Sequence, residues 1–475
     1  MNSTDRKKLR VWIRRVPCIA AIVLFLLGAI QLMRPPWFDE VLTLGWLTLG
    51  FAKIPFTYPI PNNHIVYTML LSLWNSAGGE FAPNWIAYLR LLSLLTGCGA
   101  LWLVSRELLR RCGASVGFIC SMLLASSSAF AVYSTALRGY MTAFLFTFAA
   151  FLAADRWRKS AWFSRWGALY LFFCCLAVGV MPTALFALLA GTLFFASDLR
   201  KAGCRVRWFA LALIPVLSVP LFYAHIFGKL VAASNLREGW TGYGAAYGNL
   251  YLAFAVTVLP LLPFAAAGAW RMRRQRFRLL SFALIFVMPL LLAVPAKAPP
   301  FPRIFFPFFG LWMLMLGILA SRSGRTGRRL IPVSLLWIVF TANFTPQISR
   351  CLFGPPYADD LLNPYPVSAE FQPVKAAEAI RGEAEPVFID FDADPPSLKF
   401  VLTNLGFAEE RILYDRPDFG KVLSLPPGTR IVCRNAADLE KVKTRFALNR
   451  KYEEIFSSGM QKVSGRAAWS AAEQY

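Results

Sequence analysis

The chain of 475 residues is 57% apolar and only 16% charged, with a mean hydropathy of +0.50. This composition is typical of a membrane protein and excludes an ordinary soluble domain. The net charge of +24 is unevenly divided, because residues 1–350 carry 35 Lys/Arg against 8 Asp/Glu and residues 351–475 carry 15 against 18. A soluble protein this basic would suggest nucleic acid as a partner. Here the basic clusters flank apolar segments, which indicates contact with membrane lipids and no nucleic acid.

About eleven apolar segments are long enough to cross roughly 30 Å of hydrocarbon. The first reads as a retained anchor, because no small-residue cleavage site follows it. The segment 65–74 is too short to cross, so it predicts a helix near 64–75 that lies in the membrane interface. The predicted spans lie near 16–33, 85–105, 114–133, 140–154, 167–180, 183–197, 208–227, 250–269, 279–295, 304–320 and 330–347.

The basic residues predict the orientation of these spans. With the N-terminus in the cytoplasm, 26 of the 35 basic residues of the apolar body fall at cytoplasmic ends and 9 fall on the other side. Positive charge favours the cytoplasmic side, and letting 65–74 cross would reverse this pattern. An odd number of spans therefore places the C-terminal part outside the cytoplasm, on the same side as the first loop, 34–84.

The sequence pattern of the C-terminal part predicts a small extracytoplasmic α/β domain. We expect a membrane module over 1–349, a Pro- and Tyr-rich linker over 350–366 and the α/β domain over 367–475. Cys351 and Cys433 could pair outside the cytoplasm, or remain small buried thiols. The domain pattern comprises strands at 386–391 and 429–433, a helix at 396–406 that ends in a glycine cap, and a helix at 436–446.

Two adjacent carboxylates, Asp39 and Glu40, directly follow the first apolar span. A carboxylate at mid-membrane costs roughly 2.5–3.5 kcal/mol, so a chain this poor in acids is expected to use such a pair. One general base beside several outer-side cations suits a substrate that carries a phosphate anchored in lipid. In the alternative reading, Asp39 caps the helix that follows and Glu40 favours its dipole.

Five short motifs, in this order and spacing, resemble the GT-C glycosyltransferases that use polyprenyl-phosphate sugars. This is the lineage of protein O-mannosyltransferases and aminoarabinose transferases, and the resemblance spans about residues 10–320. The motifs are Phe38-Asp39-Glu40, Pro61-Asn-Asn-His64-Ile-Val-Tyr67, Leu89-Arg90-Leu-Leu-Ser93, Leu137-Arg138-Gly-Tyr140 and Pro302-Arg303.

The resemblance implies an α-helical polytopic protein of the bacterial inner membrane with a GT-C-like architecture. It would transfer a sugar from a polyprenyl-phosphate donor to a hydroxyl of a lipid, glycan or protein at the periplasmic face. Asp39 would be the catalytic base with Glu40 beside it, and displacement by a single base predicts inversion. The expected substrate-binding residues are Asn63, His64, Arg138, Tyr140 and Arg303 from these motifs, together with the outer-side basic residues Arg237 and Lys297.

Among these residues, Arg303 matches a family arginine near the donor phosphate, and Arg237 lies in a Gly/Tyr-rich loop at 235–249 that suits an acceptor. The family often has an acid before its Arg-x-Tyr motif, whereas residues 134–140 contain none. The sequence therefore offers no second carboxylate at this motif for catalysis or for metal binding. No cofactor is required, and a divalent metal is left open.

Other readings stay open at this point. His64 could begin the interfacial helix and be satisfied by water, while Arg138 and Arg303 could be interface anchors that snorkel. A flippase of lipid-linked sugars would need ionisable groups at mid-depth and broken helices; the spans contain Pro215, Pro220 and Pro289 but no acid mid-span. A third alternative is an inactive relative that only binds polyprenyl phosphate.

Overall fold

The computed structural model of the chain describes residues 3–29, 31–33, 36, 38–47, 49–56, 64–201, 205–228, 244–293, 302–324, 385–390, 395–415, 429–433, 436–446, 452–458 and 461–466, with single positions at 332, 334, 336, 337, 377, 380, 422 and 424–426. These residues belong to two compact units, which are described separately. One unit comprises the described residues of 1–33 and 46–353, and the other comprises those of 34–45 and 366–475.

The first unit is helical. The predicted span 330–347 lies largely outside the described residues, and the linker 350–366 and Cys351 lie entirely outside them. The described helices up to residue 321 are α1 Ser3–Ala29, α2 Phe38–Leu47 (whose first part belongs to the second unit), α3 Ile65–Gly78, α4 Trp85–Cys112, α5 Ala114–Ala125, α6 Ser128–Thr135, α7 Tyr140–Trp157, α8 Arg165–Val180, α9 Ala184–Lys201, α10 Arg205–Tyr223, α11 Gly244–Val258, α12 Leu262–Arg271, α13 Arg276–Ala293 and α14 Phe308–Ser321.

Within the described residues, three helical stretches are long and apolar enough to cross a membrane alone: Trp85–Cys112, Val206–Ile226 and Leu250–Arg271. Shorter apolar helices cover Arg15–Ala29, Arg165–Val180, Ala184–Phe195 and Phe308–Ser321. The chain is thus mostly helical and carries apolar helices suited to a membrane, while the number of eleven spans stays a prediction.

The predicted span at 114–133 is a bent pair of helices in the structure. Helices α5 and α6 meet at an angle of 57°. Ser126 Oγ donates to the Met122 carbonyl at 2.9 Å at the end of α5, and Ser127 Oγ accepts from the Phe130 amide at 3.2 Å at the start of α6. Serine side chains that satisfy the backbone groups of a helix terminus favour a break, and an apolar count along the sequence does not detect it.

Close helix packing in the body depends on small residues. A Cβ at Gly268 of α12 would lie 1.7 Å from the Leu319 carbonyl oxygen of α14, so only glycine fits at this crossing. Helix α4 packs against α1, α5, α6, α7 and α14. In a membrane, helices associate through such close van der Waals contact, because lipid tails are as apolar as the side chains.

The C-terminal ends of α4 and α7 share a group of ion pairs, here called the α4–α7 ion network. Asp155 Oδ2 lies 2.8 Å from Arg110 Nη2 and 2.9 Å from Arg111 Nη2, and Asp155 Oδ1 lies 2.8 Å from Arg158 Nη2. Glu107 pairs with Arg110 and Arg111. Both acids are buried. The network therefore joins the C-terminal ends of two helices, which the charge pattern predicts on the cytoplasmic side.

The C-terminal residues form a small mixed sheet. Two predicted strands and both predicted helices are present, with α15 at Pro395–Asn404 and α16 at Ala436–Arg445. Strands β1 Val387–Ile389, β2 Ile412–Leu413, β3 Arg430–Cys433, β4 Tyr452–Ser458 and β5 Gln461–Arg466 lie in the order β2-β1-β3-β5-β4. Strand β1 is parallel to β2 and β3, while β5 is antiparallel to β3 and β4. The sequence did not predict β2, β4 or β5.

Candidate active site

The acidic pair lies at the start of α2. The helix begins at Phe38, so Asp39 and Glu40 are both in its first turn and Asp39 is not the cap that the alternative reading required. Their side chains are buried, with 4% and 0% of each residue exposed. The Thr43 hydroxyl donates to the Asp39 carbonyl at 3.0 Å. Two carboxylates at a helix N-terminus are favoured by the helix dipole, which partly offsets the cost of their burial.

A second group of predicted residues meets within the membrane body. His64 directly precedes α3, and its imidazole does not cap that helix. The residue is 6% exposed, and Nδ1 has no hydrogen-bond partner within the described part of the chain. The His64 ring lies edge-on to the Tyr140 ring, with the ring centroids 5.0 Å apart. A buried ring nitrogen without a partner costs about 1–3 kcal/mol, so this position calls for a ligand or a functional role.

The turn between α6 and α7 provides the next residues. Arg138 is fully buried, and its guanidinium carbon lies 5.9 Å from the centroid of the Tyr140 ring. Gly139 precedes α7 without a side-chain cap. A Cβ at Gly139 would lie 2.7 Å from His64 Nδ1 and 2.6 Å from Val180 Cγ1, so the close approach of this turn to His64 requires glycine. This role of Gly139 was not predicted, although a glycine between Arg138 and Tyr140 in the sequence could have indicated a close approach of the backbone.

Arg303 is the next predicted residue, and it is distant in sequence from His64, Arg138 and Tyr140. It lies in the 3₁₀ turn Pro302–Phe305 and is buried. Phe306, directly after this turn, packs on Tyr133 at 4.9 Å, and Tyr133 packs on Tyr140 at 5.0 Å between ring centroids. Sequence reasoning did not identify Tyr133, which lies in the middle of an apolar stretch. These aromatic contacts connect the Arg303 turn to the start of α7.

The pKa of His64 reflects its burial and the charges of two arginines. Burial lowers the pKa of His64 well below its usual value, and the positive charges of Arg138 and Arg303 lower this pKa further. The imidazole is therefore neutral at neutral pH. We call His64, Arg138 and Arg303 the cationic cluster. Guanidinium groups donate paired N–H groups to oxygen anions, so this cluster has donors of the type that suits an anion.

Several predicted residues do not join this cluster in the described structure. Asn63, Arg237 and Lys297 lie outside the described residues. Asp39 and Glu40 belong to the second unit, whereas the cationic cluster belongs to the first. Arg90 is buried at α4, where its Nη1 donates to the Leu32 carbonyl at 2.9 Å. This contact fits the interpretation of Arg90 as a link between helices.

The described residues do not provide a metal-binding donor set. Within that part of the chain, no group of three or more His, Cys, Asp or Glu side chains is placed to hold a metal ion. The cationic cluster offers two guanidinium groups, which cannot ligate a cation. No chemical step is therefore assigned to a divalent metal within the described residues.

The fold is similar to that of proteins with solved structures. ArnT from Cupriavidus metallidurans bound to undecaprenyl phosphate matches with a TM-score of 0.56 and 13% sequence identity, covering 96% of this chain and 98% of that chain. The same protein in the apo state matches with a TM-score of 0.55, the same identity and the same coverage. The Archaeoglobus fulgidus oligosaccharyltransferase, in a complex with Zn and sulfate, gives a TM-score of 0.49 and 13% identity, covering 86% of this chain and 63% of that chain.

Sequence comparisons add nothing to this likeness, since neither a protein-family model nor a curated protein matches the chain. The chain nevertheless has an ArnT-like fold, which agrees with the fold that the resemblance of its motifs to the GT-C glycosyltransferases implied.

Proposed function

We propose that this chain is an integral membrane glycosyltransferase of the bacterial inner membrane. It takes a sugar from a polyprenyl-phosphate donor and transfers it to a hydroxyl of a lipid, glycan or protein at the periplasmic face. The observation that carries this proposal is the cationic cluster: two buried guanidinium groups beside a neutral imidazole, in a chain with the GT-C fold.

The cationic cluster suits the phosphate of the donor. A guanidinium offers paired N–H donors that match two phosphate oxygens, and its attraction to an anion is strong where water is excluded. Arg138 and Arg303 together carry enough charge for a phosphodiester or for the phosphomonoester that remains after transfer. The ArnT structure with the same fold is bound to undecaprenyl phosphate, which is a ligand of this chemical class.

Asp39 is the proposed general base. Its carboxylate accepts the proton of the acceptor hydroxyl while the hydroxyl oxygen attacks the anomeric carbon. The bond between that carbon and the phosphate oxygen breaks, and polyprenyl phosphate leaves with the electron pair. A single displacement of this kind inverts the anomeric centre. Glu40, His64 and Tyr140 orient the sugar or the acceptor, and Asn63, Arg237 and Lys297 line the substrate path.

The arrangement of α7 supports the proposed orientation. The cationic cluster lies at its N-terminal end, and the α4–α7 ion network lies at its C-terminal end. An α-helix of 18 residues is about 27 Å long, close to the thickness of the hydrocarbon core. The charge pattern predicts that the ion network lies on the cytoplasmic side, so we place the cationic cluster on the periplasmic side.

The proposal is tested with Asp39→Asn, which keeps the size and polarity of the side chain but cannot accept a proton. Cells that lack the chain are complemented with the wild type or the variant, and the lipid, glycan and protein fractions are compared by mass spectrometry. One sugar is expected to be missing without the chain. Asp39→Asn is expected to restore about 10²–10⁴-fold less transfer than the wild type at equal expression.

Glu80→Gln is the matched control, because Glu80 is another outer-side acid in the 3₁₀ turn Gly79–Phe81. It is expected to transfer normally. Near-normal transfer by Asp39→Asn would remove Asp39 from its role. Purified protein that moves lipid-linked sugar across vesicles without forming a glycosidic bond would support a flippase instead. Donor binding without turnover across many acceptors would indicate an inactive relative.

A further inference from the structure

The segment that joins α7 to α8 is both basic and aromatic. Residues 156–165 contain four Lys/Arg and no Asp/Glu, together with two Trp and one Phe. Phe163 is 96% exposed and Trp162 is 38% exposed. Exposed aromatic side chains among basic residues are typical of the interface between the hydrocarbon and the lipid headgroups of a membrane.

Two exposed arginines of this segment contact the same indole ring. The guanidinium carbon of Arg156 lies 4.2 Å from the centroid of the Trp166 ring, and that of Arg165 lies 5.0 Å from it. Neither arginine pairs with an acid in the described part of the chain, because Asp155 pairs with other bases of α4 and α7. A guanidinium that stacks on a ring keeps N–H donors at its edge, where they can meet an anion.

A third guanidinium reaches this surface from the start of α10. Arg207 Nη1 donates to the carbonyls of Trp157 at 3.3 Å and of Arg158 at 3.0 Å. Its guanidinium carbon lies 5.6 Å from the centroid of the Trp162 ring. The Trp162 ring lies 5.5 Å from the Trp157 ring, and a Cβ at Gly167 would lie 2.9 Å from Trp157 Nε1, so these indoles pack against the start of α8. We call Arg156, Trp162, Arg165, Trp166 and Arg207 the Trp–Arg surface.

An exposed apolar face of α8 continues from this surface along the helix. Phe172 is 54% exposed and follows Arg165 by seven positions, so it lies on the same face of α8 about two turns away. Leu171 beside it is 49% exposed. A phospholipid has the same order of parts, since its charged phosphate is followed by apolar acyl chains.

We propose that the Trp–Arg surface binds the headgroup of one anionic phospholipid, whose acyl chains lie along the exposed face of α8. Charge complementarity supports this ligand, because the surface contains three guanidinium groups and no acid. Basic pockets between membrane helices on the cytoplasmic side bind anionic headgroups in this way, and the charge pattern predicts that side for the end of α7. The bound lipid contacts α7, α8 and α10. The inference is independent of the proposed function, since the surface lies at the end of α7 opposite to the cationic cluster.

Native mass spectrometry of the purified full-length protein tests the proposal. The protein in detergent is titrated with anionic phosphatidylglycerol or with zwitterionic phosphatidylcholine that has the same acyl chains, and the lipids bound to each protein molecule are counted. We expect the first phosphatidylglycerol to bind about tenfold or more tightly than the first phosphatidylcholine. Equal affinities for the two lipids would overturn the proposal.

Two double variants with the same loss of charge show whether the Trp–Arg surface is the site. Arg156→Gln/Arg165→Gln is expected to weaken the first phosphatidylglycerol about thirtyfold, because each basic residue near a lipid surface contributes a factor of about five. Arg274→Gln/Arg276→Gln is the control, since these exposed arginines lie at the start of α13 and stack on no ring in the described residues. It is expected to bind phosphatidylglycerol like the wild type. An equal loss in both variants, or no loss in the first, would overturn the proposal.

The melting temperature of the wild-type protein provides a second measurement, which needs no variant. We expect it to rise with saturating phosphatidylglycerol but not with phosphatidylcholine, because the bound lipid contacts three helices. Glycerol 3-phosphate, which has the phosphate but no acyl chains, is expected to give no rise. A rise of equal size with glycerol 3-phosphate, or no rise with phosphatidylglycerol, would overturn the assignment of this surface to a lipid.

Discussion

Gly139 and His64 approach each other so closely that a Cβ on Gly139 would lie 2.7 Å from His64 Nδ1. This contact brings the start of α7 against the start of α3. It also places Arg138, the residue before Gly139, where its charge acts on the imidazole. The backbone of one turn therefore determines the geometry of the cationic cluster.

Gly139→Ala is expected to damage the site more than the fold. The added methyl would meet Val180 Cγ1 at 2.6 Å and the Cβ of His64 at 3.0 Å, so the side chains of the cluster must move. Overpacking of this kind costs about 1–3 kcal/mol. We expect transfer to fall about tenfold or more, measured by sugar incorporation, with a modest loss in apparent melting temperature. Gly99→Ala is the control, since a Cβ there meets nothing within 4 Å; equal activity of the two variants would contradict the proposed packing role.

Arg303→Gln is expected to weaken binding of the donor. Loss of a hydrogen bond to a charged group costs about 1.5–3 kcal/mol, which corresponds to a rise of roughly 10- to 150-fold in the donor KM. Arg303→Lys should recover part of this loss, because a lysine keeps the charge but lacks the paired N–H geometry. The measurement is initial-rate kinetics against donor concentration. Arg273→Gln, at an exposed turn after α12, should leave the donor KM unchanged. An unchanged KM in both Arg303 variants would place the phosphate elsewhere.

The burial of His64 predicts a loss of stability in acid. The pKa of His64 is lowered in the folded protein, whereas in the unfolded chain it is about 6.5. Below pH 6.5 the unfolded state therefore binds a proton that the folded state does not bind, and stability falls as the pH drops towards the lowered folded pKa. His64→Gln should flatten this dependence between pH 6.5 and 5, measured by the apparent melting temperature without ligand. His225→Gln should retain the wild-type slope; an unchanged slope in His64→Gln would show that other groups cause it.

Asp155→Asn is expected to destabilise the chain without affecting the chemistry. Asp155 pairs with Arg110, Arg111 and Arg158, so its neutralisation removes the attraction of one buried carboxylate for three guanidinium groups. Breaking a buried pair typically costs about 3–5 kcal/mol. We expect a clearly lower melting temperature but near-normal transfer per folded molecule, because the network lies at the opposite end of α7 from the cationic cluster. Asp415→Asn breaks a partly exposed pair with Arg445 and should cost about 0–1 kcal/mol. Similar melting temperatures for the two variants would show that the network contributes little.

The amino-acid sequence alone indicated a membrane protein and predicted the order of many of its helices along the chain. Apolar length, basic clusters and glycine or proline breaks are local properties, so they predicted apolar helices suited to a membrane, the separation of α8 from α9 at Pro182 and the helices α15 and α16. The resemblance of the short motifs implied a fold that agrees with the ArnT-like fold of the structure. These features require no knowledge of which segments are neighbours.

Tertiary structure alone decided which polar residues meet. Arg138 follows His64 by 74 positions and Arg303 follows Arg138 by 165, and no periodicity relates such distant positions. Their convergence depends on how the helices cross and on the absence of a Cβ at Gly139. Strands β4 and β5 depend on pairing with each other and with β3, because their polar and glycine-containing sequences have only a weak alternating pattern. Burial, which lowers the pKa of His64, arises from packing between distant segments and so could not be derived from a local pattern.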